Sequence, residues 1–258
     1  VSRPGLFDYL LALGDDALVT AQRLGEWYAS SPAMEEDIAL ANIALDQLGA
    51  ARLLLSYAAE VPDTALPART GGPLPVAARP LDEDALAYRR DDRQFRNALL
   101  TELPHGDFAH VVTRLLLLAA YQVPLYDRLA AADDPRLAAI AAKTRKEVAY
   151  HLDHAATWVR RLGDGTAESH GRAQAAVDAL WPYTHELFAP LAGGPIDPAT
   201  LRADWERTVT AVLAEATLAR PADGWAPGGG RDGLHTEHLS YLLAEMQSLH
   251  RAHPGARW

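Results

Sequence analysis

An all-α fold, organised as two long antiparallel helical hairpins, is predicted by three features of the sequence. Apolar residues recur at three- and four-residue steps through long Ala- and Leu-rich stretches, the repeat of an amphipathic helix. Stretches with the two-residue alternation of a strand are nearly absent. The long periodic stretches come in pairs joined by very short polar turns, and a helix that turns back within a few residues must lie antiparallel to its neighbour.

In chain order, residues 6–29 form the first predicted helix, with Leu10, Leu13, Ala17, Ala21, Leu24 and Tyr28 along one stripe. Ser31-Pro32 stops it and opens a second helix over 32–60, with Ser at the N-cap and Pro in the first turn. Glu35, Glu36 and Asp37 then lie at the positive end of that helix dipole. Residues 62–80 hold five prolines and two glycines, which suits a long surface crossover and neither helix nor central strand. A short helix at 82–88, a helix at 91–102 and a turn at Pro104-His105-Gly106-Asp107 follow. The nearly continuous apolar helix over 108–131 is expected to be the most buried, and Asp133-Asp134-Pro135 folds it back onto a helix over 135–162. Helices at 166–189, kinked at Trp181-Pro182, at 198–217 and at 235–252 complete a chain that reads as one domain over 1–258. This is the pattern of a ferritin-like four-helix bundle with a long crossover and additional C-terminal helices.

Composition narrows the function. The absence of cysteine excludes disulfides, thiolate metal sites and cysteine nucleophiles. A formal charge of −10 argues against nucleic acid or an anionic membrane as partner. No apolar run is read as reaching the roughly 18 residues of a membrane span. The beginning VSRPGLFDYL lacks the marks of a secretory signal, so a cytoplasmic location is expected.

On the helix over 135–162, Lys143, Glu147, His151 and His154 fall on one face, the raw material of a metal site inside a bundle. A di-iron centre needs about six ligands, a Glu from each of two helices and a Glu-x-x-His pair from each of the other two. Hairpin register sets Asp15 and Asp16 level with Asp46, and residues 116–120 level with Glu147 and His151. The positions where histidine belongs hold Gly49 and Tyr150, and the stretch from Phe108 to Tyr126 contains no acid. The candidate positions Asp16, Asp46, Lys143, Glu147 and His151 therefore read as the remains of a site, with no catalytic residue, cofactor or metal expected in this chain. An ion shared by the i,i+4 pair Glu147 and His151 is the most that the stretch could bind.

Lys143 and Lys146 are the only lysines. Two readings of Lys143 stand side by side: an ammonium that neutralises buried acids iron would otherwise bridge, or a solvated ion pair with Glu147. His235-Thr236-Glu237-His238 lacks the spacing of a zinc helix and reads as a helix cap with interface polar contacts. Gly228-Gly229-Gly230 has no following Lys-Ser/Thr and reads as a tight turn. The large aromatics at 158, 181, 183, 205, 225, 241 and 258 read as core or interface anchors.

Several separated stretches carry a resemblance: LALGDDALVTAQRLGEWYASSPAMEEDIALANIALDQLGAARLLL, YRRDDRQFRNALLTELPHGDFA, KTRKEVAYHLDHAATWVRRLGDGTAESH, LWPYTHELF and GLHTEHLSYLLAEMQSLHRAHPGARW. Together they resemble the family of structural subunits of the multicomponent phenylacetyl-CoA epoxidases, over essentially the whole chain. The resemblance implies a ferritin-like fold and a non-catalytic role beside a related catalytic subunit. That partner carries the di-iron centre and epoxidises the aromatic ring of the CoA thioester, using O₂ and electrons from a reductase subunit. The rival reading is a metal-dependent oxygenase in its own right, with an atypical site made from Asp16, Asp46, Glu147 and His151. A homodimer through an apolar bundle surface is compatible with either. For the surface that meets the partner, the Arg-rich stretch 88–102 and the C-terminal helix are the candidates.

Overall fold

The computed structural model describes residues 5–61, 81–191, 193–253 and 256. Two long hairpins make the bundle. The first pairs α1 (Leu6–Glu26) with α2 (Met34–Glu60). After the short α3 (Glu83–Tyr88) and α4 (Leu99–Glu102), the second pairs α5 (Phe108–Leu129) with α6 (Pro135–Gly163). The hairpins meet through α2 and α6, while α7 (Ala167–Leu180) and α8 (Arg202–Glu215) cover α5 and α6. Two further helices, α9 (Glu237–Met246) and α10 (Ser248–Ala252), end the described chain, and α9 rests on α1 and α4. No strand occurs among the described residues. The crossover expected at 62–80 lies outside them.

Local chemistry explains most boundaries. Asp134 caps α6 as its side chain accepts from the Arg136 and Leu137 amides at 3.0 Å, with Pro135 in the first turn where no N–H is needed. Asp107 caps α5 through the His110 amide at 3.0 Å. The second helix departs from the expected start. Ser31-Pro32 stay in the turn, Ala33 takes the N-cap position, and the Ser31 amide donates instead to Asp37 in the first turn at 3.1 Å.

Four predicted helices are divided. A 3₁₀ segment, Trp181–Phe188, replaces the second half of the helix expected at 166–189, because Pro182 removes an amide donor there. Another, Pro198–Leu201, precedes α8, and a break at Gln247 separates α9 from α10. The helix expected at 91–102 does not form as one unit. It is a 3₁₀ turn at Asp92–Gln94, an extended run and the single turn of α4. The cause is tertiary: buried carboxylates from elsewhere in the chain take the Arg96, Ala98 and Leu99 amides at 2.7–2.8 Å.

Every residue from Val111 to Gln122 on α5 is buried, and so is every residue from Tyr9 to Ala21 on α1. These two helices are enclosed because the additional elements wrap them: α7 and α8 over α5, α4 and α9 over α1. Contrary to the expectation from sequence, α2 and α5 each contain an 18-residue window of mean hydropathy 1.4, apolar enough for a membrane span. In α5, 78% of that window is buried inside the bundle, and packing accounts for it. In α2 only 39% is buried, so much of its apolar surface faces outward.

Candidate functional site

At the level where the hairpins could hold a metal, the bundle core is filled by a small neutral network. Gln47 on α2, Gln122 on α5 and His151 on α6 are all buried. Gln47 Nε2 donates to Gln122 Oε1 at 3.1 Å and lies 3.4 Å from His151 Nδ1. An amide nitrogen only donates, so Nδ1 accepts and the ring proton sits on Nε2, which donates to Asp46 Oδ2 at 3.1 Å. Burial holds the His151 pKa below its ordinary value, against the opposing pull of Asp46, and keeps the ring neutral. Tyr126 sits in the field of both Asp16 and Glu147, and its phenol is pushed far up, first by burial and then by those charges.

The five positions singled out from sequence do not converge. Asp46 and His151 meet. Glu147 pairs instead with Lys143, whose side chain is 55% exposed. Each four-residue step advances about 40° around a helix, so Lys143 stands about 80° away from His151 and reaches solvent. This decides between the two readings of Lys143: it is a solvated i,i+4 pair and does not replace iron between buried acids. Asp16 is engaged elsewhere. Tyr150 is exposed, Gly49 lies on the outer face of α2, and residues 116–120 on α5 are apolar core. Among the described residues no group of three His, Asp or Glu side chains is arranged to hold a metal ion. A donor set of two amides, one neutral imidazole and one partly exposed carboxylate does not fit a di-iron centre, which requires bridging carboxylates.

Asp15 and Asp16 do not stand level with Asp46 as hairpin register predicts: the adjoining Gly14 packs against Leu54 and Leu55, about two turns further along α2, and the strongest electrostatics lie there, where α1 meets the segments 85–104 and 228–247. Asp15 is fully buried with Arg90, whose Nη1 donates to it at 2.8 Å while the guanidinium stacks 4.1 Å from the Phe95 ring centroid. Asp16 accepts from Arg231 at 2.7 and 3.0 Å and from the Ala98 amide at 2.7 Å. Burial pushes the Asp16 pKa up, with Arg231 opposing, while that carboxylate in turn helps raise the pKa of Arg231 against its own burial. Glu186 accepts three amides, those of Leu99, Gly229 and Gly230, at 2.7–2.8 Å. A side chain at Gly230 would come within 2.3 Å of the Asn97 carbonyl, so this glycine is required by close backbone approach, and Gly229 by its φ of 115°.

Glu102 completes the set. It accepts from Asn97 at 2.8 Å, from the Thr236 amide and hydroxyl at 2.7 and 2.8 Å, and from His235 Nδ1 at 2.7 Å. His235 Nε2 lies 3.1 Å from the Phe95 carbonyl. Both partners of the ring are acceptors, so the imidazolium satisfies both. Burial opposes the charge, but the hydrogen bond to Glu102 and its attraction win, and the His235 pKa rises. The His235–His238 stretch thus makes the interface polar contacts expected of it, with Thr236 in the N-cap position but using its hydroxyl on Glu102. Within the Arg-rich stretch 88–102, Arg90 and residues 97–102 are buried in this chain, while Arg93 is exposed. Sequence reasoning missed Arg90, Glu102, Glu186 and Arg231. The available signal was Asp15 and Asp16 side by side on an otherwise apolar helix, since buried acids demand cationic partners.

Fold and core together define a ferritin-like helical bundle with neutral hydrogen-bonding side chains, Gln47, Gln122 and His151, in its core. A family profile described as phenylacetic acid catabolic protein matches residues 1–258, and the chain belongs to that family. Over 258 residues, covering 97% of this chain and 98% of the other, it is 47% identical to a subunit of the 1,2-phenylacetyl-CoA epoxidase of Escherichia coli (strain K12).

Two outcomes follow from these electrostatics. Arg231→Met should destabilise the protein by about 3 kcal/mol or more, because it strands Asp16 in the core. Lys143→Met should cost less than about 0.5 kcal/mol. Urea unfolding of the two variants measures this, and similar losses would contradict the assignment. For His235, whose folded pKa exceeds its unfolded value of about 6.5, the stabilisation is fully present below that value and fades as pH rises through the folded pKa. The stability gap between the wild type and His235→Gln should therefore narrow with rising pH. A gap independent of pH from 6 to about 9 would mean that the ring is not an imidazolium.

Proposed function

We propose that this chain is the non-catalytic structural subunit of a 1,2-phenylacetyl-CoA epoxidase. In this reading it is a cytoplasmic component of phenylacetate catabolism that binds and orders the di-iron subunit while a reductase supplies electrons. The role as a subunit follows the relative that matches it end to end. The lack of a catalytic role in this chain is supported by the network of Gln47, Gln122 and His151, which offers a dinuclear centre no bridging acid.

The observation that carries the reading is an unpartnered apolar face on α2. Met34, Ile38, Leu45, Leu48 and Leu53 are between 37% and 75% exposed. With Ala41 and Arg52 the stripe runs 34, 38, 41, 45, 48, 52, alternating steps of four and three, which is the seam spacing of one helix packed along another. Tyr28, which lines one groove with Leu45 and Leu48, extends it, and an exposed apolar patch of this kind marks an interaction surface. Acidic Glu35 and Asp37 give the first turn of the seam a negative charge that a basic group on a partner can complement, while Arg52 at the other end pairs with Glu83 of α3 at 3.5 Å. The self-sufficient oxygenase is disfavoured, since Asp16, Asp46, Glu147 and His151 are not gathered around one point.

Co-expression with the catalytic subunit tests the proposal. Ile38→Asp combined with Leu45→Asp should abolish copurification without lowering the melting temperature of the isolated chain, and iron should follow the partner. Near-stoichiometric iron in the isolated chain, lost in His151→Ala, would overturn the reading.

A further inference from the structure

A polar cavity of about 300 Å³ lies where the start of α1 meets the chain around Arg96, Leu191 and Arg231. Asp8, Tyr9, Arg96, Leu191, Arg231 and Asp232 are among its lining residues, and its volume is at the lower end of the range for small-molecule sites. Two glycines let the loop after Leu191 press against α1. A Cβ at Gly194 would come within 2.1 Å of the Tyr9 ring, and one at Gly193, whose φ is 77°, within 2.1 Å of the Gly5 carbonyl carbon.

Two lining side chains are more than nine-tenths buried yet keep polar groups without a partner. Tyr9 is 1% exposed and its hydroxyl makes no hydrogen bond. The Arg231 side chain is 7% exposed. Its Nη1 and Nη2 donate to Asp16 and to the Ala12 and Arg96 carbonyls, while its Nε has no acceptor. A buried donor without an acceptor costs free energy, so these two groups call for an acceptor from outside the chain. Burial pushes the Tyr9 pKa far up, which keeps the phenol protonated and able to donate.

The charges of the lining define the molecule that brings the acceptor. Arg231 is already neutralised by Asp16. Arg96 gives Nη1 to the Arg93 and Phe95 carbonyls and pairs with no carboxylate among the described residues. Asp8 and Asp232 are exposed, so carboxylates stand at the mouth while the unused donors lie at the buried end. One guanidinium against two carboxylates disfavours a simple anion and suits a molecule that carries both signs. We propose that this cavity binds a free amino acid, its carboxylate inward on Tyr9, Arg96 and Arg231 and its ammonium outward on Asp8 and Asp232, with its side chain against Leu191. The bound molecule ties α1 to the same outer segments that the buried arginines hold, so occupancy raises thermal stability.

The test is melting of the purified full chain with glycine, L-alanine, L-leucine or L-phenylalanine at about 10 mM, and with acetate and ethylamine as carboxylate and amine alone. At least one amino acid should raise the melting temperature by about 2 °C or more, and neither acetate nor ethylamine should match it. Tyr9→Phe removes only a hydroxyl that has no partner, so without ligand it should melt at or above the wild-type temperature. Calorimetric titration with the amino acid of largest shift should give a dissociation constant at least roughly tenfold weaker in Tyr9→Phe and in Arg96→Gln, and a weaker one in Asp232→Asn. No shift with any of the four amino acids overturns the proposal. An equal shift with acetate would make the cavity an anion site and overturn the amino acid. Unchanged affinity in both Tyr9→Phe and Arg96→Gln would put binding elsewhere and overturn it as well.

Discussion

Two adjacent carboxylates on α1, Asp15 and Asp16, are the constraint on which the outer parts of this fold depend. Both are buried, and an ionised carboxylate removed from water must find charge and hydrogen bonds within the protein. Asp15 recruits Arg90 and the Arg96 amide; Asp16 recruits Arg231 and the Ala98 amide. Those four partners come from two segments, one ahead of the second hairpin and one near the end of the chain. Glu186 and Glu102 tie the same segments to each other. Stretches with too few apolar residues to hold themselves down are thereby fixed against a helix that would otherwise expose its acids.

This arrangement also bears on the core level of Gln47, Gln122 and His151. In a di-iron bundle the inward carboxylates are neutralised by iron. Here the buried acids of α1 are neutralised by arginines from outside the four-helix core, and the core positions Gln47 on α2, Gln122 on α5 and His151 on α6 carry no charge. Glu147 turns toward the lysine at its surface. The buried acids of α1 are thus balanced one by one by arginines of the same chain.

Much of this was legible in the sequence because it is local. The hairpins follow from helical periodicity and from Asp134-Pro135, whose cap needs only the next two amides. The deficiency of ligands was legible too, since Gly49, Tyr150 and the acid-free helix can be read directly from one-letter codes. What could not be read is the chemistry between distant residues. Residues 91–102 have a pattern suited to a helix, yet three of their amides are taken by acids that lie about eighty residues away in the chain. Lys143 was ambiguous for a different reason: a four-residue spacing drifts around the helix, so two steps carry a side chain from the buried edge into solvent. The start of α2 was misplaced because Ser-Pro suits a turn as well as a cap.

Side-chain carboxylates, in place of regular secondary structure, hold the 95–99 segment to the bundle. Native-state amide hydrogen exchange at Arg96, Ala98 and Leu99 measures this most directly, because amides bonded to buried acids open only when those acids are released. The account predicts protection at the level of the α1 and α5 core amides in the wild type, and loss of it at Ala98 in Asp16→Asn. Exchange at the rate of an ordinary exposed loop in the wild-type protein would contradict it.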